Sequence, residues 1–342
     1  MLNGKNILIT GGTGSFGQAF CKFVLQNFRP KRLIVYSRDE YKQSLMFEEN
    51  ELFRNPCMRY FLGDIRDLQR LTKAMMGVDY VIHAAALKQV PAAEYNPNEF
   101  IQTNIMGTIN VCEAALACRV EKAIALSTDK AVSPINLYGA TKLCAEKSFI
   151  ANNSYAGLNR TRFSVVRYGN VLGSRGSVIP LFLKQRRQGF VTITDQRMTR
   201  FFISLDQGVR FVYNSLKNMN GGEIFVPKMP SCKVVDLARA IVPECEQKII
   251  GIRPGEKLHE ILIPLEESRS VYDCGNFYVI APLMPSWDLE MHKFNLGQKC
   301  DHAFSYESNN NTQQLSLEEI QTWLRSFSHE KHATKAQRLA CI

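Results

Sequence analysis

Tyr138 and Lys142 have the spacing Tyr-x-x-x-Lys, which can support an oxidation. If a helix begins within residues 134–138, the two side chains lie one turn apart on the same face. An ammonium beside a phenol favours the phenolate, so Lys142 would lower the pKa of Tyr138 from its usual value of about 10. Such a tyrosine can accept the proton of a sugar hydroxyl while a nicotinamide takes the hydride. The spacing also occurs on ordinary surface helices, so neighbouring residues must decide between the two interpretations.

Thr128, Asp129 and Lys130 follow an apolar run at 123–127 that has the pattern of a buried strand. They fall just beyond the carboxyl end of that strand, where open parallel sheets bind their ligands. An acid and a base side by side at this edge can move protons to and from a bound molecule. The pair next to Tyr138 and Lys142 therefore predicts a catalytic site.

A glycine loop joins the first predicted strand, residues 6–10, to a helical pattern at 19–25. Gly11 provides a tight turn, Gly14 a close backbone approach to a pyrophosphate, and Gly17 close packing of helix on strand. The N–H groups at the helix start would face the phosphates. This context predicts dinucleotide binding. The predicted contacts in the loop are Gly11, Thr13, Gly14, Ser15, Phe16 and Gly17.

The end of the second predicted strand, residues 32–36, indicates which dinucleotide binds. An acidic residue there typically contacts the ribose 2′-hydroxyl of NAD, whereas serine and arginine suit the 2′-phosphate of NADP. Ser37 and Arg38 occupy the strand end and Lys42 follows one turn later, so NADP is predicted. Asp39 is the residue that argues for NAD.

Further contacts are predicted at the ends of the third and fourth strands, at the ligand edge of the sheet. Alanines there allow a cofactor to approach closely, and a lysine can bind phosphate or the nicotinamide ribose. These candidates are Asp64, Ile65, Ala84, Ala85 and Lys88. His83, the last residue of the fourth strand, is predicted to be a packed histidine rather than a base.

Strands and helices alternate through the first half of the chain, which predicts an α/β fold with a Rossmann-type, doubly wound parallel sheet. Residues 1–173 are assigned to an NADP-binding domain, to which 201–228 return. Residues 174–200 and 229–330 are assigned to a smaller, interleaved C-terminal lobe that binds substrate, with the substrate site expected between the two. Residues 331–342 are predicted to be a disordered basic tail.

Composition narrows the class of protein. The 342 residues carry a formal net charge of +10, which suits an anionic nucleotide, and no nucleic-acid motif accompanies it. Ten cysteines form no Cys-x-x-Cys pair and no cluster with histidine, so no metal site is predicted and a reduced, cytoplasmic protein is expected. The first strand begins too early for a signal peptide, and no apolar run reaches membrane-spanning length.

Four longer motifs carry a resemblance to a known family. They are STDKAVSPINLYGATK, RYGNVLGSRGSVIPLF, RMTRFFIS and RPGEKLHE. Together with the glycine loop, they resemble extended short-chain dehydrogenases/reductases that modify nucleotide sugars. Within that group they closely resemble the inverting UDP-N-acetylglucosamine 4,6-dehydratases, which begin pseudaminic acid synthesis in bacteria. The resemblance covers about residues 4–280 and implies a homo-oligomer, with a hexamer among the options.

The resemblance implies a role for each matching residue. Tyr138 would oxidise C4 and, with Lys142, bind the nicotinamide ribose; Lys130 would remove the C5 proton and Asp129 would protonate the departing C6 hydroxyl. Asp64 and Ile65 would reach the adenine. The remaining implied contacts are Val171 with cofactor, and Lys88, Thr128, Asn170, Arg175, Val178, Thr192, Arg253 and Glu256 with the UDP-sugar.

Three alternatives stay open at this point. A UDP-N-acetylglucosamine 4-epimerase shares Tyr138 and Lys142 but usually lacks an acid next to a base. Retaining 4,6-dehydratases share many motifs but commonly carry an N-terminal membrane domain. A catalytically dead NADP-binding regulator would generally lose the tyrosine or the lysine, and both are present.

Overall fold

A computed structural model describes residues 1–157, 161–173, 178–282 and 297–325. The chain divides into two compact units. The first takes in the described residues of 1–168, 204–228 and 261–305, and the second takes in 169–203, 229–260 and those from 306 onward. None of the described helices is long and apolar enough to cross a membrane.

The strands are numbered in chain order: β1 (Asn6–Thr10), β2 (Arg32–Ser37), β3 (Met58–Leu62), β4 (Tyr80–His83), β5 (Lys122–Thr128), β6 (Arg162–Tyr168), β7 (Asn170–Val171), β8 (Phe190–Ile193), β9 (Thr199–Ile203), β10 (Ile224–Pro227), β11 (Ser231–Lys233), β12 (Glu246–Ile249), β13 (Ile261–Ile263), β14 (Val271–Asp273), β15 (Phe277–Ile280), β16 (Gln298–Lys299) and β17 (Tyr306–Glu307).

The helices are α1 (Ser15–Asn27), α2 (Glu40–Glu49), α3 (Leu68–Met75), α4 (Val90–Tyr95), α5 (Pro97–Phe100), α6 (Gly107–Ala117), α7 (Leu137–Ala151), α8 (Val178–Gln185), α9 (Leu205–Asn218) and α10 (Val234–Ile241). A π-helix, Ile101–Met106, joins α5 to α6, and a 3₁₀ turn, Asp129–Ala131, follows β5. Residues 317–325 are also helical.

The first unit is built on a sheet with the order β3-β2-β1-β4-β5-β6-β10-β15-β14-β16 among the described residues. The strands from β3 to β10 pair in parallel, and the last three pair antiparallel. The segment 3-2-1-4-5-6 is the doubly wound order. Strands β1 and β2 are nearly continuous apolar runs, as expected for parallel strands covered on both faces. The predicted α/β fold is confirmed.

The second unit contains two small sheets, one with the order β11-β9-β7 and one that pairs β12 with β8. Phe182 of α8, Val191 and Ile193 of β8, and Val235 and Ala238 of α10 form one of its cores.

The sequence assigns residues 261–305 to the smaller lobe, but the structure places the described ones in the first unit. They belong to the first unit because β14, β15 and β16 extend its sheet beyond β10. The sequence pattern also predicts one long helix over 100–117, whereas the structure interrupts it with the π-helix 101–106. The predicted basic tail, 331–342, lies outside the described residues.

Glycine at position 17 is required by packing rather than by backbone angle. A Cβ added to Gly17 would lie 2.5 Å from Gly12 Cα, so Gly17→Ala should lower the free energy of unfolding by about 1–3 kcal/mol. Gly208 in α9 is the matched control because a Cβ there meets nothing within 4 Å. Gly208→Ala should stabilise by up to about 1 kcal/mol through helix propensity. Urea unfolding of both variants tests the pair; equal effects would contradict the packing argument.

Candidate active site

The loop after β1 has the geometry of a phosphate-binding turn. Gly11 adopts φ +67°, and a Cβ there would lie 2.9 Å from the backbone of Ala85. The N–H of Gly14 donates to the carbonyl of Gly11 at 2.9 Å, and α1 begins immediately afterwards at Ser15. Gly14 has no side chain to cap the helix, so the N–H groups of the first turn remain available to an anion.

Thr10, which the sequence analysis passes over, connects β1 to the end of β4. Its hydroxyl oxygen accepts from the N–H groups of Ala84 and Ala85, both at 3.2 Å, and is 2.8 Å from Nδ1 of His83. Nε2 of His83 lies 2.9 Å from the hydroxyl of Thr108. Burial lowers the pKa of His83 to about 3, so the ring is neutral. The prediction of a packed histidine is confirmed.

The residues at the end of β2 contact one another and the loop after β3. The hydroxyl of Ser37 accepts from Nε2 of Gln43 at 2.9 Å. The carboxylate of Asp39 caps α2 by accepting the N–H of Lys42 at 3.0 Å, and it pairs with the ammonium of Lys42 at 2.5 Å. These hydrogen bonds lower the pKa of Asp39. Arg38 is half-exposed, with Nη1 3.4 Å from the carboxylate of Asp64.

The loop after β3 is held from three sides. The hydroxyl of Tyr36 donates to the carbonyl of Asp64 at 2.9 Å, and the carboxylate of Asp64 accepts from Nε of Arg66 at 3.0 Å. Ile65 is buried, and a Cβ on Gly107 would lie 2.6 Å from its Cδ1. The predicted adenine contacts therefore lie on a fixed loop.

The turn after β5 contains the predicted acid and base. Nζ of Lys130 lies 3.0 Å from Oδ1 of Asp129, and the hydroxyl of Thr128 donates to the same oxygen at 2.9 Å. The side chain of Asp129 is fully buried, whereas that of Lys130 is 24% exposed. The pair combines a carboxylate removed from water with an ammonium that reaches solvent.

Helix α7 begins at Leu137, as the sequence predicts, with the side chain of Asn136 accepting the N–H of Gly139 at 2.7 Å. A Cβ on Gly139 would lie 2.1 Å from the carbonyl oxygen of Lys130, so only glycine permits this approach. The helix thereby brings the phenol of Tyr138 close to the Asp129–Lys130 pair, whose charges act on its pKa.

The pKa of Tyr138 does not follow the prediction. Burial raises it to about 12, and the charge of Lys130 only partly opposes that rise. Lys142 instead donates to the carbonyl of Leu126 at 2.7 Å, and burial lowers its own pKa to about 8. The prediction that Lys142 lowers the pKa of Tyr138 is wrong. Loss of water raises that pKa more than the nearby charges lower it.

Asn104 holds the backbone of Leu87, the residue before Lys88. Asn104, in the π-helix, accepts the N–H of Leu87 at 2.8 Å and donates to the carbonyl of Leu87 at 2.9 Å. Its Nδ2 also lies 3.0 Å from the hydroxyl of Thr141 in α7. Partial loss of water and the charge of Lys130 lower the pKa of Lys88. The first unit thus gathers Lys88, Lys130 and Asp129 near one another.

The remaining predicted contacts belong to the second unit. Asn170 and Val171 form β7, Val178 is the first residue of α8, and Thr192 lies in β8, where its hydroxyl accepts from Gln185 at 2.9 Å. Arg175 lies outside the described residues.

Arg253 and Glu256 form one turn of the second unit, with their charged atoms 3.8 Å apart. Gly255 between them adopts φ +79°. The buried Arg200 donates to the carbonyls of Lys257 at 2.9 Å and Leu258 at 3.1 Å, which fixes the chain directly after this turn.

A nucleotide-binding glycine turn at the edge of a doubly wound sheet, next to a Tyr-x-x-x-Lys helix, is the arrangement of extended short-chain dehydrogenases/reductases. The family model described as "Polysaccharide biosynthesis protein" matches residues 7–282, and the chain belongs to that family.

The chain is 55% identical over 328 residues to a Campylobacter jejuni protein named UDP-N-acetylglucosamine 4,6-dehydratase (inverting), covering 94% of this chain and 97% of the relative. It is 41% identical over 340 residues to a Rickettsia canadensis protein named UDP-glucose 4-epimerase, covering 97% and 98%. The structure of Pen from Bacillus thuringiensis superposes with a TM-score of 0.88 at 38% identity, covering 96% and 99%. The resemblance to the inverting dehydratases is confirmed.

Lys142 should titrate well below an ordinary lysine. We expect one lysine signal to titrate near pH 8 in NMR spectra of protein with labelled lysine side chains, and Lys142→Gln to remove it. Because the folded pKa lies below the unfolded value, the unfolded chain binds more protons between pH 8 and 10.5. This group therefore makes the free energy of unfolding rise with pH over that interval. A spectrum in which every lysine titrates near 10 or above would contradict the burial of its ammonium.

Proposed function

We propose that the protein catalyses the 4,6-dehydration of UDP-N-acetylglucosamine with inversion at C5. The product is UDP-2-acetamido-2,6-dideoxy-β-L-arabino-hex-4-ulose. The observation that carries this proposal is the contact between Asp129 and Lys130 at 3.0 Å, directly after β5 and beside Tyr138. The 55% identity to the Campylobacter jejuni enzyme supports it.

The residues fit a nicotinamide dinucleotide. The positive φ of Gly11 and the uncapped start of α1 suit the pyrophosphate, and the half-exposed Arg38 suits a 2′-phosphate. When bound, NADP would supply the hydride acceptor and later the hydride donor, with no net redox change.

Tyr138 takes the proton of O4 in the first step. It can do so only as a phenolate. Burial raises the pKa of Tyr138 to about 12, so the phenol must first release its own proton to solvent before it can accept the O4 proton. The charge of Lys130 stabilises that phenolate, since it lowers the pKa of Tyr138. The resulting 4-ketone acidifies the C5–H bond.

Asp129 and Lys130 perform the elimination. A proton that moves from the ammonium to the carboxylate across their 3.0 Å contact leaves a neutral amine and a carboxylic acid. Complete burial of Asp129 favours its neutral form, and the charge of Lys88 favours a neutral Lys130. The amine removes the C5 proton and the acid protonates the departing C6 oxygen, so one water leaves. C5 then takes a proton that originates from water, on the opposite face.

Arg253 and Glu256 are proposed to hold the UDP group. A planar guanidinium with five donors matches a pyrophosphate better than an ammonium does. Arg253 is half-exposed, so its donors can reach a ligand. Thr128, Lys88, Asn170, Arg175, Val178 and Thr192 are the further proposed UDP-sugar contacts, and Val171 is a proposed cofactor contact.

The second candidate is 4-epimerisation, which the 41% identical Rickettsia relative favours by its name. Epimerisation needs Tyr138 and the cofactor but does not need an acid to expel the C6 oxygen. Incubation with UDP-N-acetylglucosamine and NADP⁺ followed by proton NMR distinguishes the two. A new C6 methyl signal supports dehydration, whereas an intact C6 with inverted C4 supports epimerisation.

The biological setting is also a proposal. Free thiols at the described cysteines suit a reduced, cytoplasmic compartment. By its resemblance to the inverting dehydratases, the protein would act as a homo-oligomer in the first step of pseudaminic acid synthesis. Neither nucleic acid nor membrane has a role in this proposal.

NADP should bind more tightly than NAD, by roughly 1–3 kcal/mol if Arg38 makes charge-assisted hydrogen bonds to the 2′-phosphate. The carboxylate of Asp39, which would favour NAD, already caps α2 and pairs with Lys42. Calorimetry with both cofactors measures the difference. Arg38→Met should remove the preference, and Arg66→Met, a neighbouring arginine that also pairs with Asp64, should retain it. Equal affinities in the parent would refute the prediction.

Lys130→Met should still oxidise C4 but should lose exchange at C5 and release of the C6 hydroxyl. In D₂O the parent should incorporate one deuterium at C5, with the L-arabino configuration. Tyr138→Phe is the matched comparison and should lose C4 oxidation itself, by about 10²–10⁴-fold. If Lys130 only neutralised phosphate, its loss would raise KM with little change in kcat. C5 exchange at the parental rate in Lys130→Met, or a D-configured product, would remove Lys130 from the proposed role.

A further inference from the structure

A fully satisfied arginine lies behind the candidate catalytic residues. Arg167, near the end of β6, has a side chain that is 1% exposed. Nε and Nη2 donate to the carboxylate of Glu146 at 3.2 and 2.8 Å, and Nη1 and Nη2 donate to Glu267 at 2.7 and 3.3 Å. Nη1 also donates to the carbonyl of Leu262 at 2.8 Å. Every N–H of the guanidinium is therefore used.

Glu146 connects this arginine to the catalytic strand. It lies in α7, one turn after Lys142, and it accepts a hydrogen bond from the hydroxyl of Ser127. Ser127 directly precedes Thr128 and is the β5 partner of Arg167 in the sheet. Lys142 donates to the carbonyl of Leu126, the residue before Ser127. Two successive turns of α7 are thus attached to two successive residues of β5.

Stability alone is a weak explanation for these contacts. Removing charged groups from water costs several kcal/mol for each ion, and well-packed apolar residues often serve as well. The geometry offers a different role. Tyr138 and Lys142 are carried by the helix, and Asp129 and Lys130 by the strand end, so any sliding of α7 along β5 would change the distances between the two pairs.

We propose that Glu146, oriented by Arg167, is a positioning residue that fixes α7 against the end of β5 for the reaction proposed above. It is also the counter-charge that faces Lys142 from the same helix, and it opposes the effect of burial on the pKa of Lys142. His83 of β4 also faces Lys142, but it is neutral. The inference rests on the proposed function only for its kinetic consequence.

Glu146→Gln keeps the size of the side chain and removes the charge. We expect kcat for C4 oxidation to fall by about 10²-fold, with KM for UDP-N-acetylglucosamine changed less than about threefold, because misplacement by an ångström has that effect. The NMR titration of Lys142 should move to lower pH. Glu267→Gln is the matched control, because it removes the charge of the other carboxylate that Arg167 contacts. Among the described contacts, Glu267 bonds neither Ser127 nor Lys142. This substitution should leave the Lys142 titration unchanged.

Ser127→Ala covers the case in which Glu146→Gln does not fold. It breaks the attachment to β5 and keeps both charges, so kcat should fall while the Lys142 titration stays in place. Parental kcat in the folded variants, together with an unmoved Lys142 titration in Glu146→Gln, would overturn the inference. Absence of any sugar oxidation by the parent would instead overturn the proposed function, and the Lys142 titration would still test the role of Glu146.

Discussion

The contact between helix α7 and the end of β5 is the constraint on which the candidate site depends. Because Gly139 has no side chain, α7 packs directly against the carbonyl of Lys130. A Cβ at this position would overlap that carbonyl oxygen. Lys142 then reaches the carbonyl of Leu126, and Tyr138 lies close to the Asp129–Lys130 pair. A larger residue at 139 would separate the helix from the turn and with it the phenol from the acid–base pair. The absence of a side chain at Gly139 therefore sets the distance between Tyr138 and the Asp129–Lys130 pair.

Burial rather than charge dominates the electrostatics of this site. Tyr138 and Lys142 are both buried, and their pKa values move toward their neutral forms, to about 12 and about 8. Asp129 is fully buried as well, next to an ammonium that is partly exposed. Loss of water disfavours the charged form of each buried group. In the proposed elimination, the burial of Asp129 therefore favours the carboxylic acid that must protonate the C6 oxygen.

The sequence could predict those parts of the molecule that depend on local pattern. Strands β1, β2 and β5, the end of β4 at His83, the glycine turn and the start of α7 follow from local patterns, and they lie where those patterns indicate. The π-helix around Asn104 and the contacts of Thr10 could not be predicted, since each depends on a partner distant in the chain. The predicted lowering of the Tyr138 pKa was wrong for the same reason. The spacing to Lys142 is local, whereas the loss of water around the phenol is set by the whole fold.

The assignment of residues 261–305 illustrates the same limit in the fold. Their short strands carry little periodicity, and only pairing with β10 decides that they extend the main sheet. That pairing has a consequence for the site, because Leu262 and Glu267 come from this segment and complete the contacts of Arg167. The late segment of the chain thus helps to fix the guanidinium that holds Glu146. The position of α7 depends in this way on residues more than a hundred positions after it, which no local pattern could reveal.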